Sequence, residues 1–182
     1  MKIKVALSVL ASLMFSASAL AATPASYDTK FNVSANVPDS VRITDPSGRP
    51  VTDLDVVMKA VASGYMEAQT PPLKIWNNDM TKLEVSMTLD DSQAASGSAF
   101  TLYSTQGSTL NHMSYKITTL TSDGLKTFAT SGESNKYTLV ATTGATHSEL
   151  PVVFRFVSDS KYDSLAQGNY TGVVYANVST KP

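Results

Sequence analysis

Apolar and polar side chains alternate along the eleven residues from Tyr27 to Val37. The odd positions carry Tyr, Thr, Phe, Val, Ala and Val, and the even positions carry Asp, Lys, Asn, Ser and Asn. Successive side chains of a strand point to opposite faces, so the pattern predicts a ribbon with one apolar and one polar face. Pro38 ends it, because proline cannot donate a hydrogen bond to a ladder. The apolar face is buried either within the same molecule, as an ordinary first strand, or in a neighbouring molecule, as a donated strand.

Residues 1–21 have the pattern of a secretory signal peptide. Lys2 and Lys4 precede an apolar run that is too short to span a bilayer, and Ala19-Leu20-Ala21 is a small-x-small cleavage site. We therefore expect an exported protein whose mature chain begins at Ala22, with cleavage after Ala19 or after Ala22 as the alternatives.

Charge and cysteine usage exclude several classes of function. The chain has 14 basic and 15 acidic side chains, and the signal peptide takes two lysines with it. A mature chain with a net negative charge argues against binding of nucleic acid or of an anionic membrane through a basic face. There is no cysteine, so no disulfide contributes to stability, and thiol catalysis and cysteine metal sites are excluded.

The rest of the chain consists of short segments with apolar alternation, separated by turn-forming residues, and it shows no amphipathic helix. Residues 82–89 give the clearest internal strand. The other predicted strands are residues 41–44, 54–61, 73–76, 100–103, 113–117, 125–128, 137–140, 152–157 and 170–179. This pattern predicts a single antiparallel all-β domain, either a sandwich or a barrel.

No catalytic or metal-binding motif is visible. The two histidines, His112 and His147, have no second ligand at metal spacing, and His147 is expected to be an exposed loop residue. Asp90 and Asp91 are expected to be turn residues rather than a catalytic pair. Trp76 is expected in the core or under a loop rather than as a sugar platform. We therefore expect a protein that is not an enzyme and that needs no cofactor.

The two ends of the mature chain resemble a known family. The ribbon Phe31-Asn32-Val33-Ser34-Ala35-Asn36-Val37-Pro38 and the closing segment Gly168-Asn169-Tyr170-Thr171-Gly172-Val173-Val174 are similar to those of chaperone–usher fimbrial subunits. The signal peptide and the absence of cysteine bring the chain closest to the alternate-chaperone, colonisation-factor-type (class 5) major pilins of enteric bacteria. The common type-1-like pilins usually carry a disulfide, which is missing here.

The resemblance implies an incomplete immunoglobulin-like antiparallel β-sandwich that lacks one strand. Residues 22–37 would be an N-terminal extension, and residues 38–182 the pilin domain. A strand of a periplasmic chaperone would first fill the groove, and at the outer-membrane usher the extension of the next subunit would replace it, which is strand addition at a sheet edge. The groove-filling side chains would be Tyr27, Thr29, Phe31, Val33, Ala35 and Val37. The wall of the groove would carry Gly168, Tyr170, Gly172, Val174, Ala176 and Val178.

The function implied by the resemblance is that of a structural subunit of a surface fimbrium that serves adhesion. Identical subunits would form a homopolymer, because a head-to-tail link that does not close gives a filament. Further partners would be a tip adhesin subunit and host-cell receptor glycans, with no nucleic acid. Three alternatives stay open: a self-contained secreted β-sandwich that binds a carbohydrate or receptor, a minor or tip adhesin, and a hydrolase, for which no nucleophile–base pair is visible.

Overall fold

The computed structural model describes residues 30–37, 40–106 and 109–180 of the 182-residue chain. The chain divides into two units, residues 1–36 and 37–182. Val37 is the first residue of the larger unit. The predicted signal peptide, Tyr27 and Thr29 lie outside the described residues.

Residues 30–36, the described part of the smaller unit, form no strand, helix or turn, and the same holds for Val37. Their apolar side chains are open to solvent, with 80% of Phe31, 91% of Val33 and 78% of Val37 exposed. The alternation therefore does not lead to a paired strand in this part of the chain.

The larger unit contains twelve β-strands within the described residues. They are β1 (Val41–Thr44), β2 (Lys59–Ala60), β3 (Tyr65–Gln69), β4 (Leu73–Asn77), β5 (Glu84–Asp91), β6 (Phe100–Gln106), β7 (Thr109–Thr121), β8 (Gly124–Phe128), β9 (Glu133–Thr138), β10 (Val140–Ala141), β11 (Ser148–Lys161) and β12 (Val174–Thr180). A single 3-10 turn at Tyr162–Ser164 is the helical segment of this part of the chain. No helix among the described residues is long and apolar enough to cross a membrane.

The strands form two antiparallel sheets. In the larger sheet the long strand β11 is central: its first half pairs with β4, its second half pairs with β3, and its other edge pairs with β7. Strand β1 extends this sheet beyond β4, and β6 and β8 extend it beyond β7. The smaller sheet has the order β12–β5–β9. The expected antiparallel all-β sandwich is confirmed.

The core lies between the sheets and follows from the alternation of side chains along the strands. In β5, for example, Val85, Met87 and Leu89 are buried while the residues between them face outward. Each large apolar side chain that is fully buried stabilises the fold by roughly 1.5–3 kcal/mol. The larger sheet contributes Leu73, Ile75, Tyr115, Ile117, Leu150, Val152 and Phe154 to the same cluster.

Some local predictions were wrong. Residues 54–61 are not a strand, because only Lys59–Ala60 pairs and the apolar run before it has no alternation that would specify one face. The sequence pattern did not predict strand β3 at Tyr65–Gln69. The last strand begins at Val174 rather than at residue 170, since the preceding residues first contact β6. Asp90 and Asp91 are the end of β5 rather than part of the following loop.

Candidate functional site

A groove of about 1540 Å³ lies in the larger unit, with Ile43 of β1 and residues 50–58 on one side and residues 165–178, which include most of β12, on the other. This volume exceeds the roughly 300–1,000 Å³ of ordinary small-molecule pockets. The seven residues of β12 span about 23 Å at 3.3 Å per residue. The floor is apolar and is formed by Leu73, Leu89, Leu102, Met113, Ile117 and Phe154. The dimensions therefore suit an extended polypeptide rather than a compact ligand.

One wall of the groove is β12, which pairs on one side with β5. Ser92 N donates to the carbonyl oxygen of Val173 at 2.9 Å, so by the antiparallel alternation every second residue from 173 onward bonds to β5. The N–H and C=O groups of Val174, Ala176, Val178 and Thr180 therefore point to the other edge, toward the groove. Within the described residues no strand pairs with that edge.

The opposite wall is formed by β1 and by the irregular residues 50–58. Asn78 N donates to Ser40 O at 3.2 Å, which turns the backbone groups of Val41 and Ile43 away from β4. Val51 N donates to Ile43 O at 3.0 Å, so a hairpin closes the second half of this edge. β12 consequently presents a longer row of unpaired groups than β1.

Asp45 holds the turn of this hairpin. Its carboxylate accepts hydrogen bonds from Ser47 N at 2.8 Å and from Arg49 Nε at 2.9 Å. The hydrogen bonds from Ser47 and Arg49 hold the pKa of Asp45 well below its usual range. The turn that closes the β1 edge is thus fixed by a charged acceptor at neutral pH.

The segment before β12 crosses between the two sheets. Tyr103 and Thr171 exchange two backbone hydrogen bonds, of 3.0 and 2.9 Å, at the edge of β6. A Cβ atom at Gly172 would lie 2.7 Å from Leu102 Cδ2, and one at Gly168 would collide with the Ser104 side chain. The two glycines thus allow this close approach, which fixes one end of the groove.

The structure brings the predicted wall residues together on one surface. Gly168, Tyr170, Gly172, Val174, Ala176 and Val178 all line the groove. Val174 and Val178 also pack against the core, while Ala176 is exposed. Of the predicted groove-filling residues, Phe31, Val33, Ala35 and Val37 are exposed, and Tyr27 and Thr29 lie outside the described residues.

Tyr115 is a groove residue that the sequence analysis did not single out. It is buried beside Phe100 and Phe156, with ring centroids 5.8 and 6.2 Å away. Burial raises the pKa of the Tyr115 hydroxyl far above its ordinary value, and the negative charge of Asp91 acts in the same direction. Nothing in the local pattern around Met113-Ser114-Tyr115 distinguishes a groove floor from an ordinary core strand.

Asp91 was expected to be a turn residue, and it is buried at the end of β5. Its carboxylate accepts hydrogen bonds from Gln93 N at 2.9 Å and from Thr101 N at 2.8 Å. The side chain therefore ties the start of β6 to the end of β5 across the two sheets. A positioning role of this kind cannot be read from a small-residue loop in the sequence.

Trp76 lies on the outer face of the larger sheet, half-buried. The Arg42 guanidinium lies 4.7 Å from the ring centroid, and the His147 ring stacks on the indole at 5.7 Å. His147 is therefore half-buried, and the expectation of an exposed loop residue was wrong. Its Nε2 lies 3.7 Å from Glu149 Oε2, which also accepts from Lys74 Nζ at 2.9 Å. The indole already has two neighbours, which leaves less of it open as a stacking platform.

Catalytic and metal-binding side chains are dispersed in the described part of the chain. His112 is exposed on β7, and no group of three or more His, Asp or Glu residues there could hold a metal ion. The groove is thus the feature of this part of the chain with the geometry of a binding site.

No family model matches the sequence, and no curated protein matches it. A mutant of the adhesin CfaE of CFA/I fimbriae from enterotoxigenic E. coli is a similar solved structure, with 14% identity, a TM-score of 0.51, and coverage of 78% of this chain and 43% of that one. A second is a chaperone–tip adhesin complex of CFA/I fimbriae biogenesis, with 13% identity, a TM-score of 0.47, and coverage of 78% and 42%. The chain thus spans less than half the length of either structure. At this identity the CfaE likeness concerns the fold.

Proposed function

We propose that the chain is a structural subunit of a chaperone–usher surface fimbrium, and that the groove of one copy takes residues 27–37 of the next copy as an added strand. The observation that carries the proposal is an apolar groove along the free edge of β12. An edge strand with unpaired N–H and C=O groups is a template for pairing with another chain.

The distribution of exposed apolar side chains supports a match between the groove and the N-terminal segment. Thirteen large hydrophobic side chains are exposed among the described residues. Three of them, Phe31, Val33 and Val37, belong to the alternating segment. Five more lie along the groove: Leu54, Val57 and Tyr162 belong to its lining, and Val173 and Tyr175 lie on its rim. Exposed apolar surface that is concentrated in this way marks an interaction site.

The geometry of the free edge sets how an added strand is held. The odd residues of the segment, which carry the apolar face, would point to the floor and place their backbone groups opposite Val174, Ala176 and Val178. The even residues Lys30, Asn32, Ser34 and Asn36 would face outward. A link of this kind joins unlike surfaces and does not close, so it builds a filament.

The further partners in this proposal are those that the resemblance to chaperone–usher subunits implies. A periplasmic chaperone would fill it before assembly, an outer-membrane usher would exchange the chaperone strand for the next subunit, and a tip adhesin subunit would end the filament. The protein would act at the cell surface after export, in contact with host-cell glycans. Neither a catalytic group nor a cofactor enters this role.

The test compares the mature chain with a variant that lacks residues 22–36. The shortened chain should stay monomeric, should bind a synthetic peptide of residues 22–37, and should fail to form fibres. A peptide with Phe31→Asp and Val33→Asp serves as the matched control and should not bind. Fibres formed by the shortened chain would show that the proposal is wrong.

A receptor-binding adhesin subunit is the second candidate, and the likeness in fold to the CfaE adhesin favours it. In this case the purified monomer should bind glycans without any partner strand. Glycan-array binding by the wild type that is lost in Trp76→Ala or Tyr103→Ala would support this candidate. An array without signal would leave the structural subunit as the better description.

A further inference from the structure

The groove has two ends with different surroundings. At the near end, β1 begins at Val41 and β12 ends at Thr180. Val41 pairs with Asn77, the last residue of β4, and Thr180 pairs with Val85, the second residue of β5. At the far end, β12 begins at Val174, which pairs with Asp91.

The near end is where the larger unit receives its N-terminal connection. Val37 lies there in a shallow depression of about 340 Å³ that is also lined by Asn78, Asp79, Met80 and Thr146. The three Cα steps from Val37 to Ser40 span at most about 11 Å at 3.8 Å each. A strand that ends at Val37 therefore brings the near end of its own domain to within about 11 Å of the groove that it fills.

The far end keeps apolar surface that an added strand does not cover. Tyr175 is 60% exposed and Val173 is 51% exposed. Along β12 the even-numbered side chains face the core and the odd-numbered ones face outward, so Val173 and Tyr175 point away from the groove floor. A strand lying on that floor therefore leaves the Tyr175 ring and the Val173 methyl groups in solvent. Val57, which is 70% exposed, stands on the opposite wall.

Only one orientation of the added strand joins unlike ends of the two domains. The near end of the accepting copy already carries its own connection through Val37, so a second connection leaving there would meet it. An added strand that runs antiparallel to β12 leaves at the far end instead. The near end of one domain then faces the far end of the next, as an open head-to-tail filament requires.

We infer that neighbouring copies make a second contact beyond the added strand. The near-end surface around Met80 of one copy docks on the far-end rim of the next, which is formed by Val173 and Tyr175. The inference rests on the proposed function and names a domain-to-domain interface for it. Met80 is 39% exposed and supplies the flexible apolar side chain that such a contact uses.

Cross-linking tests this interface directly, because the chain contains no cysteine. Full-length chains that carry both Met80→Cys and Tyr175→Cys should form a ladder of disulfide-linked oligomers when assembled fibres are oxidised. The control pairs Met80→Cys with Leu125→Cys, a residue 72% exposed in the β7–β8 hairpin, away from the groove. The control should give no ladder.

The outcomes separate the interface from the proposed function. Fibres in which neither pair gives a ladder, or in which both pairs give equal ladders, overturn the domain contact while strand addition stands. Chains that neither form fibres nor take up the peptide of residues 22–37 overturn the proposed function itself. As a second measurement, Met80→Asp should leave peptide uptake at the wild-type level and shorten the fibres several-fold, whereas Leu125→Asp should leave both unchanged. Fibres of wild-type length from Met80→Asp count against the contact.

Discussion

Two parts of the molecule share one sequence pattern and have opposite structures. The segment 30–37 and the strand β12 both alternate apolar and polar side chains. Strand β12 pairs with β5 over seven residues, and Val174 and Val178 pack against the core. Residues 30–37 belong to no strand, and Phe31 and Val33 are almost fully exposed.

The difference shows what alternation specifies and what it leaves open. It fixes which side chains share a face, since that depends only on the geometry of an extended chain. It does not fix the partner, because pairing needs a second strand with free hydrogen-bonding groups. Strand β12 has such a neighbour, β5, and within the described residues no strand pairs with the other edge of β12.

The largest expected effect comes from placing a charge on each ribbon in turn. Val178→Asp should lower the free energy of unfolding by at least about 1–3 kcal/mol, because a polar group then enters a half-buried apolar site. Phe31→Asp should leave thermal unfolding of the monomer unchanged and abolish fibre formation. Circular-dichroism melting and analytical centrifugation of both variants test this. Equal destabilisation by the two substitutions would mean that the segment 30–37 packs against its own molecule.

The next effect concerns the backbone of the added strand. N-methylation of Val33 in the peptide of residues 22–37 should weaken binding by about tenfold or more, since one lost hydrogen bond is worth about 0.5–1.5 kcal/mol and the methyl group adds a clash with β12. N-methylation of Ser34, whose N–H faces the wall that the hairpin partly closes, should weaken it less. Calorimetric titration of the two peptides measures the difference. Stronger loss from the Ser34 modification would reverse the assignment of the walls.

An effect on stability alone, without a change in the groove-filling segment, is expected where β12 is anchored. Gly172→Ala brings a Cβ atom to 2.7 Å from Leu102 Cδ2 and 3.3 Å from Thr101 O. It should cost about 1–3 kcal/mol of stability, as overpacking does. Ser179→Ala, at an exposed position of the same strand, should change stability by less than about 0.5 kcal/mol. Denaturant titration compares the two variants, and a neutral Gly172→Ala would show that the segment can move away from β6.

The smallest effect is on alkaline stability. Burial raises the pKa of Tyr137 to about 12 and raises that of Tyr115 as well. For a folded pKa above the unfolded value of about 10, stability is full below that pH and is lost as the pH rises through the folded value. Tyr115→Phe should therefore lose less stability than the wild type above about pH 10, by unfolding measured at several pH values. Because Tyr115 lines the groove and Tyr137 does not, the 22–37 peptide should protect the wild type more than Tyr115→Phe.

The fold class and most of β12 follow from the sequence, because alternation is a property of local geometry, whereas the same pattern in residues 30–37 gives no strand. The turn after β1 and the strand β5 were likewise readable from their residues. The irregular wall of residues 50–58 was not, since the apolar run Val56-Val57-Met58 fits a strand equally well by composition. Its start is held against β1 by the hydrogen bond from Val51 N to Ile43 O, and Val51 and Met58 pack against the core, which the composition of the run does not specify.

Other parts of the site escaped prediction for the same reason. Gly168 and Gly172 were marked by a resemblance, but their physical role is the close approach to Ser104 and Leu102, some 65 residues away in the chain. Asp91 looked like a loop carboxylate, and its burial against Thr101 N depends on how β6 leaves the smaller sheet. Contacts between residues that are distant in the chain cannot be predicted from the local pattern of a single sequence.

The position of Trp76 has a practical consequence. It is the only tryptophan of the chain, it sits on the outer face of the larger sheet between Arg42 and His147, and it is not a lining residue of the groove. The emission spectrum of Trp76 should change when the domain unfolds and should not change when the groove is filled. A second fluorophore, placed near Tyr175, would be needed to follow occupancy in real time.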